Sequence, residues 1–234
     1  MLFRSDVDLV ASLGTGKTLL TLAPEEVSQQ TLRALAERGV ILAAGHTAAT
    51  YAQTRTALAA GMRGFTHLYN AMSALGNREP GTVGAALEDT ASWCGIIVDG
   101  HHVHPASLRI ALAAKPQGKV FLVTDAMPPV GSEQSSFQLN GETITCRDGL
   151  CTNAQGVLAG SALDMAAAVR NAVAMLRIPL VEALRMASAY PAAFLGLDSS
   201  HGRIAAGYAA DLVLLDDDIS VRSTWIGGRE GDPT

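Results

Sequence analysis

Five short apolar runs, each followed by a stretch with helical spacing, are the feature that most limits how this 234-residue chain can fold. The runs occupy residues 19–23, 40–44, 64–68, 95–98 and 120–124, and Ala-rich segments with apolar residues at helical spacing lie between them. A continuous apolar strand followed by a helix, repeated along a chain, is typical of a parallel sheet covered by helices. The sequence therefore predicts an α/β fold built from βα units.

Polar residues cluster directly after these runs. The segments are Pro24-Glu25, Gly45-His46-Thr47, 67–70, 99–104 and Asp125. In parallel α/β folds the residues that follow the carboxyl ends of the strands form the active face. This repeated placement of His and Asp predicts a partial (β/α)₈ barrel with about five of its eight units, strands four to eight.

Composition and charge exclude several classes of protein. Charged residues make up 17% of the chain, against about 25% in an ordinary soluble domain, and the net charge is −5. A negative chain gives no reason to expect a nucleic-acid partner, and without a run of 18 apolar residues no membrane association is expected. The three cysteines, Cys94, Cys146 and Cys151, are odd in number and lack CxxC spacing, which predicts a reduced, cytoplasmic protein.

Beyond Asp125 the βα pattern changes. The stretch 136–158 contains an Asn140-Gly141 turn signal between two β-like runs, which predicts a β-hairpin insertion. A helix is expected from about residue 162 to 175, with Ser161 as its N-cap. Short β-runs then follow near the end of the chain.

His46 and His67 form a candidate metal-binding pair. They lie one βα unit apart, and each follows an apolar run directly or within two residues. Neighbouring parallel strands are about 4.8 Å apart, so two side chains at adjacent strand ends can reach one cation. A catalytic zinc needs three protein ligands and an open position. No other His or acidic residue lies at the corresponding position after a strand, so a third ligand is not obvious. The alternative for each imidazole is an ordinary hydrogen bond.

Asp125 and Arg78 each allow a catalytic and an ordinary interpretation. Asp125 ends the run VFLVTD, where it could be an N-cap or loop residue, or a general base that takes a proton from water and returns it to the leaving group. Arg78 lies in the loop LGNREPG, where it could be solvated or could bind an anionic group of a substrate.

The strand-end motifs, taken in order, resemble those of the N-acetylglucosamine-6-phosphate deacetylases of the amidohydrolase superfamily. The motifs are LLTLAPE (19–25), AAGHTAATY (43–51), FTHLYNAM (65–72), REPG (78–81), IIVDGHHVHP (96–105), LVTDAMPPVG (122–131) and LAGSALDM (158–165). The segment GRIAAGYAADLVLLD resembles the closing part of that superfamily, where the chain returns to a small β-sandwich. The resemblance implies an incomplete metal-dependent barrel over residues 1–198 and a β-sandwich segment over 199–234.

The resemblance also implies a role for each matching position. His46 and His67 correspond to metal ligands, for zinc or for iron or another transition metal, and Asp125 corresponds to the catalytic acid/base. The implied reaction removes acetate from N-acetylglucosamine 6-phosphate, an amino-sugar phosphate, and the enzyme is expected to be a homodimer. The residues that correspond to substrate contacts are Asn70, Ala71, Arg78, Asp99, Gly100, His101, His102, Leu158, Ala159 and Gly160.

The resemblance begins part-way along the family's pattern. The first three barrel strands, and with them a metal-binding glutamate, have no counterpart, and Glu25 and Glu26 belong to a different motif. An opened barrel exposes strand edges and apolar surface, so the chain alone is expected to be poorly stable, to bind metal weakly and to have little activity. Two alternatives stay open: a deacetylase for another N-acetylated sugar phosphate, and an inactive fragment retained as a binding or assembly partner.

Overall fold

A five-stranded parallel sheet with its strands in chain order forms the framework of the computed structural model, which describes residues 8–10, 12, 16–147 and 149–231. The prediction of an α/β fold with a parallel sheet built from five βα units is confirmed. Each strand lies within one of the apolar runs or within two residues of it. The strands are β1 (Leu19–Leu22), β2 (Ile41–Ala44), β3 (Gly64–Phe65), β4 (Trp93–Ile96) and β5 (Val120–Leu122).

Helices follow the strands, and local sequence signals fix where two of them begin. The Ser28 hydroxyl accepts a hydrogen bond from Thr31 N–H at the first turn of α1, and Thr50 and Gln53 form a capping box at the start of α2. A 3₁₀ turn, Pro24–Glu26, follows β1. The helices are α1 (Gln29–Glu37), α2 (Tyr51–Ala59), α3 (Gly81–Glu88) and α4 (Pro105–Ala114).

The chain divides into two compact units. The first comprises Met1–Ile96, Arg109–Phe121 and Ala193–Gly196. Its core is apolar, and the aromatic rings of Phe121 and Phe194 stack within it with centroids 5.2 Å apart. The fully buried side chains of this unit include Leu32, Leu35, Leu42, Phe65, Val83 and Ile96. Their burial against the sheet is the main source of this unit's stability.

The second unit comprises Ile97–Leu108, Leu122–Ala192 and Leu197–Thr234, and it contains two antiparallel sheets. One has four strands, β6 (Ser136–Leu139), β7 (Glu142–Arg147), β8 (Leu150–Thr152) and β9 (Leu158–Ser161). Asn140 and Gly141 have φ values of 50° and 85° in the turn between β6 and β7, as a primed two-residue turn requires. The other sheet has three strands, β10 (Leu212–Leu215), β11 (Val221–Ile226) and β12 (Arg229–Glu230).

The prediction of fully reduced cysteines is wrong for one pair. Cys146 and Cys151 form a disulfide, and Cys94 is a free, buried thiol. Antiparallel pairing places Cys146 of β7 directly opposite Cys151 of β8, with their Cα atoms 4.0 Å apart. A five-residue sequence separation does not reveal this pairing, because it depends on the position of the turn between the strands.

The helix predicted over 162–175 is shorter and begins later. It consists of α5 (Met165–Asn171), continued by a π-helical turn over Ala172–Leu176. Its N-cap is Asp164, whose carboxylate accepts a hydrogen bond from Ala167 N–H at 2.7 Å, and not Ser161. Two further helices, α6 (Leu180–Ala187) and α7 (Ala189–Leu195), follow.

The limits of the two predicted segments, 1–198 and 199–234, stay a prediction, and residues 1 and 234 lie outside the described part of the chain. Within that part, no helix has the length and apolar character that crossing a membrane requires.

Candidate active site

In the first unit, the imidazoles of His46 and His67 face each other. Their Nε2 atoms are 3.0 Å apart, and the two rings meet edge to face at 78°. His67 is buried, with 6% of its surface exposed, whereas His46 is exposed. Each residue follows a strand, β2 or β3, and each has a left-handed backbone, with φ of 50° and 36°. Such conformations are costly for non-glycine residues and are concentrated at functional sites.

The donor set of this pair fits a divalent transition metal. Two nitrogens that bind one tetrahedral zinc at about 2.0–2.1 Å lie about 3.3 Å from each other, close to the observed separation. Imidazole suits zinc, iron and related ions equally well. Among the residues that the structure describes, no group of three His, Cys, Asp or Glu side chains is placed to hold a metal. The described residues therefore place two candidate ligands, and not three, at this point.

The backbone around His46 is held tightly. Gly45 N–H donates to Leu22 O at 3.2 Å, which continues the pairing of β2 with β1. A Cβ atom on Gly45 would lie 2.6 Å from Thr21 Cγ2, so only glycine fits before the histidine. On the other side, Thr47 pairs with Met72 in a parallel β-bridge. The loops that follow β2 and β3 are thereby joined.

Asn70 and Ala71 lie on the loop that follows His67. Asn70 Nδ2 donates to His67 O at 3.1 Å, which closes a tight turn beneath the imidazole. Ala71 also has a left-handed backbone, with φ of 46°, and its carbonyl oxygen accepts a hydrogen bond from Thr47 N–H at 3.0 Å. The structure therefore brings these two predicted substrate contacts to the histidine pair.

Arg78 is exposed on a loop whose shape depends on the neighbouring Glu79. Glu79 Oε1 accepts hydrogen bonds from Tyr51 N–H at 2.7 Å and Gly81 N–H at 3.0 Å, the first residues of α2 and α3. Within the described residues Arg78 forms no ion pair. Its guanidinium group is thus available to an anionic partner such as a phosphate.

In the second unit, Asp99 and His102 form a buried pair. Asp99 Oδ2 lies 2.5 Å from His102 Nδ1, and Oδ1 accepts the backbone N–H groups of His101 and His102, both at 2.9 Å. Gly100 between them has φ of 79°, which a side chain would disfavour. His101 itself is exposed, and its Nε2 lies beside Gly149 in the turn between β7 and β8.

This pair shifts both of its pKa values. Burial raises the pKa of Asp99, but the hydrogen bonds from the His102 side chain and from the two backbone N–H groups outweigh burial and lower it to about 2. The hydrogen bond to Asp99 raises the pKa of His102 against an opposing effect of burial, and the charges of Asp99 and Asp125 raise it further. His102 therefore keeps its positive charge to a higher pH than an ordinary histidine.

Asp125 lies next to β9 in the same unit. Its carbonyl oxygen accepts a hydrogen bond from Ser161 N–H at 2.8 Å, and its backbone is left-handed, with φ of 53°. A Cβ atom on Gly160 would lie 3.0 Å from that carbonyl oxygen and 2.2 Å from Met127 Cε, so glycine is required there. Asp125 is exposed. Leu158 is exposed and Ala159 half-buried on the same strand.

Sequence reasoning gave no such role to the residues that hold these loops in place. They are Glu25, Thr47, Glu79 and Ser161, each of which forms a hydrogen bond with a backbone group of these loops or of a helix that adjoins them. Glu25 carried the strongest available signal, because it follows β1 at the position where the other strands deliver site residues.

The fold is that of an amidohydrolase. The model of the amidohydrolase family matches residues 14–231, and the chain therefore belongs to this family. A Shewanella sp. (strain ANA-3) N-acetylgalactosamine-6-phosphate deacetylase is 47% identical over 216 residues, which cover 92% of this chain and 54% of that relative. The resemblance to the sugar-phosphate deacetylases is thereby confirmed.

Two solved structures of deacetylases have the same fold. The N-acetylglucosamine-6-phosphate deacetylase of Pasteurella multocida superposes with a TM-score of 0.93 at 36% identity, over 98% of this chain and 60% of that one. A D267A mutant of the Mycobacterium smegmatis N-acetyl-D-glucosamine-6-phosphate deacetylase, in complex with N-acetyl-D-glucosamine-6-phosphate, superposes with a TM-score of 0.84 at 38% identity, over 91% and 57%. The chain spans a little over half the length of these relatives.

Proposed function

We propose that this chain provides the active-site residues of a metal-dependent deacetylase that hydrolyses the N-acetyl amide of an N-acetylhexosamine 6-phosphate. The observation that carries the proposal is the 3.0 Å approach of His46 Nε2 and His67 Nε2 at the ends of adjacent strands. The predicted substrate is N-acetylglucosamine 6-phosphate, and its products are glucosamine 6-phosphate and acetate.

The first unit binds the metal and the phosphorylated sugar. His46 and His67 would hold a divalent cation, which supplies Lewis-acid polarisation of the amide carbonyl and lowers the pKa of water. Arg78 binds the phosphate through its planar, charged donors. Asn70 and Ala71 contact the sugar phosphate from the loop after His67, where a backbone turn already fixes their positions.

Asp125 and His102 are the residues to which we assign proton transfer and the orientation of the acetamido group. Asp125 takes a proton from the attacking water and returns it to the amine as the carbon–nitrogen bond breaks. Asp99 holds the His102 ring through Nδ1 and raises its pKa, so that in its protonated form Nε2 can donate a hydrogen bond to the substrate. Gly100 and His101 form the backbone turn beside it, and Leu158, Ala159 and Gly160 contact the substrate from β9.

N-acetylgalactosamine 6-phosphate is the second candidate substrate. The Shewanella relative carries that name and has the higher identity, 47%, against 36% and 38% for the two structures named for the glucosamine substrate. The two sugars differ only in the configuration of one hydroxyl group. The ratio of kcat/KM for the two substrates decides between them.

The experiment measures acetate release from each sugar phosphate by the purified chain, with added Zn²⁺ and after chelation. We expect slow release, in keeping with the weak metal binding expected of this chain; it should require metal and be abolished by Asp125→Asn, whereas Asp217→Asn, a change at an exposed turn, has no effect. A folded protein, by circular dichroism, that binds neither sugar phosphate and releases no acetate from either would contradict the proposal. The homodimer and the cytoplasmic location stay predictions; light scattering after gel filtration tests the first.

A further inference from the structure

The carboxylate of Glu25 is tied to the loop that carries His46. One oxygen, Oε1, accepts the backbone N–H of Ala48 at 2.6 Å, and the other, Oε2, accepts the hydroxyl of Thr47. Glu25 itself is fixed in the 3₁₀ turn that begins with the buried Pro24 directly after β1. A charged acceptor therefore reaches from the end of one strand to the loop that follows the next.

Thr47 also bonds to the backbone of the loop that follows His67. Its N–H donates to Ala71 O at 3.0 Å, its carbonyl oxygen accepts Ser73 N–H at 3.2 Å, and its hydroxyl also accepts Ala49 N–H at 3.0 Å. Thr47 is buried, with 6% of its surface exposed. It thus joins the carboxylate of Glu25 to the segment that follows His67.

The two imidazoles differ in what holds them. His67 is buried and is restrained by packing, whereas His46 is exposed. The position of His46 therefore depends on the backbone on its two sides, and the adjacent residue on one side is Thr47. A histidine has no intrinsic preference for the left-handed conformation that His46 adopts, so contacts outside the residue must maintain it.

We propose that Glu25 is a positioning residue that holds His46 against His67 and thereby raises the affinity of the pair for a divalent cation. The metal part of this inference rests on the proposed function. Glu25 acts through Thr47 and Ala48 and not as a third ligand, because both of its oxygens accept hydrogen bonds from these residues. Charge-assisted hydrogen bonds of this kind are about twice as strong as neutral ones.

The test compares Glu25→Ala and Glu25→Gln with Glu26→Ala, a matched control at the exposed neighbouring position. The first readout needs no metal: amide hydrogen exchange, by mass spectrometry, of peptides that cover residues 45–50. We expect exchange in Glu25→Ala to be about tenfold faster, because the Ala48 N–H loses a charge-assisted hydrogen bond of about 1.5 kcal/mol. A glutamine can accept from Ala48 and donate to Thr47, so Glu25→Gln should stay close to the wild-type value.

The second readout is the dissociation constant for Co²⁺, followed by visible absorption. We expect it to rise about tenfold in Glu25→Ala, within the range known for residues that orient metal ligands, and to change less than threefold in Glu25→Gln and Glu26→Ala. Unchanged exchange and unchanged Co²⁺ affinity in Glu25→Ala would overturn the proposal. If no variant and no wild-type protein binds Co²⁺, the metal part of the proposed function fails, and exchange at 45–50 still decides whether Glu25 positions the loop.

Discussion

Asp99 and His102 form one buried ion pair, with Oδ2 of the carboxylate 2.5 Å from Nδ1 of the imidazole. Only 4% and 6% of the two side chains are exposed, so water screens the pair weakly. The carboxylate therefore determines both the charge of His102 and the orientation of its ring, in the way that buried acids orient catalytic histidines elsewhere.

Replacing Asp99 by Asn should lower the pKa of His102. The hydrogen bond to Asp99 is the largest cause that raises this pKa, and without it burial favours the neutral ring. NMR titration of the His102 ring protons measures the change, and Asp217→Asn is the control. If His102 is the cationic donor proposed here, the alkaline limb of the kcat profile shifts to lower pH in Asp99→Asn. An unchanged pKa of His102 in this variant would show that Asp99 does not stabilise the positive charge of the imidazole.

The same pair predicts how stability depends on pH. The pKa of Asp99 is lowered from 3.8 to about 2 on folding, so its stabilisation is present above pH 3.8 and disappears as the pH falls towards 2. The pKa of His102 is raised from 6.5, so its contribution is complete below pH 6.5 and disappears as the pH rises through the folded value. Urea unfolding of wild type should lose about 2 kcal/mol more than Asp99→Asn between pH 5 and pH 2. An equal loss of unfolding free energy in the two proteins between pH 5 and pH 2 would contradict this prediction.

Glu79→Ala should raise KM for an N-acetylhexosamine 6-phosphate about five- to tenfold and leave kcat nearly unchanged. Glu79 joins the first residues of α2 and α3, and the loop that carries Arg78 loses this support in the variant. Steady-state kinetics on Arg78→Ala, Glu79→Ala and the double variant provide the check. Because Glu79 acts through Arg78, the effects should not add; additive losses would assign Glu79 a separate role.

Ser161→Ala should destabilise the second unit by about 1–3 kcal/mol, because two buried groups lose their hydrogen-bond partner. The Ser161 hydroxyl donates to Thr124 O at 2.5 Å and accepts Leu163 N–H at 3.0 Å, and the residue is fully buried. Chemical denaturation measures the loss, with the exposed Ser135→Ala as control. Equal stability of the two variants would contradict the assigned role.

Reduction of the disulfide should loosen the β6–β9 sheet. A cross-link between residues five apart contributes about 2 kcal/mol by restricting the unfolded chain. Amide exchange over 136–161 should therefore accelerate after treatment with a phosphine reductant, and no change should occur in the Cys146→Ser/Cys151→Ser variant. Acceleration in both proteins would assign the effect to the reductant and not to the bond.

The framework of the fold could be predicted because its signal is local. Strands β2 and β5 lie almost entirely within the apolar runs 40–44 and 120–124, since strands covered on both faces need continuous apolar sequence. The placement of His46, His67 and Asp125 after strands followed from the same runs. The positions of these three residues could be predicted from the order of apolar runs and polar residues along the chain.

What the sequence could not reveal depends on partners that are distant along the chain. Ser161 resembles a helix N-cap, but its hydroxyl bonds to Thr124 O, 37 residues away. The N-cap of the helix is Asp164. Glu25 bonds to Thr47 across 22 residues. Such contacts are set by strand register and loop geometry, which no local pattern encodes.

The left-handed backbones at His46, His67 and Asp125 have a consequence for protein engineering. Each costs about 1–2 kcal/mol that a glycine would not incur. Directed evolution that selects only for thermal stability is therefore expected to replace these three residues by glycine or asparagine. Any library built on this scaffold therefore needs a selection for deacetylase activity alongside the selection for thermal stability, so that the proposed active-site residues are retained.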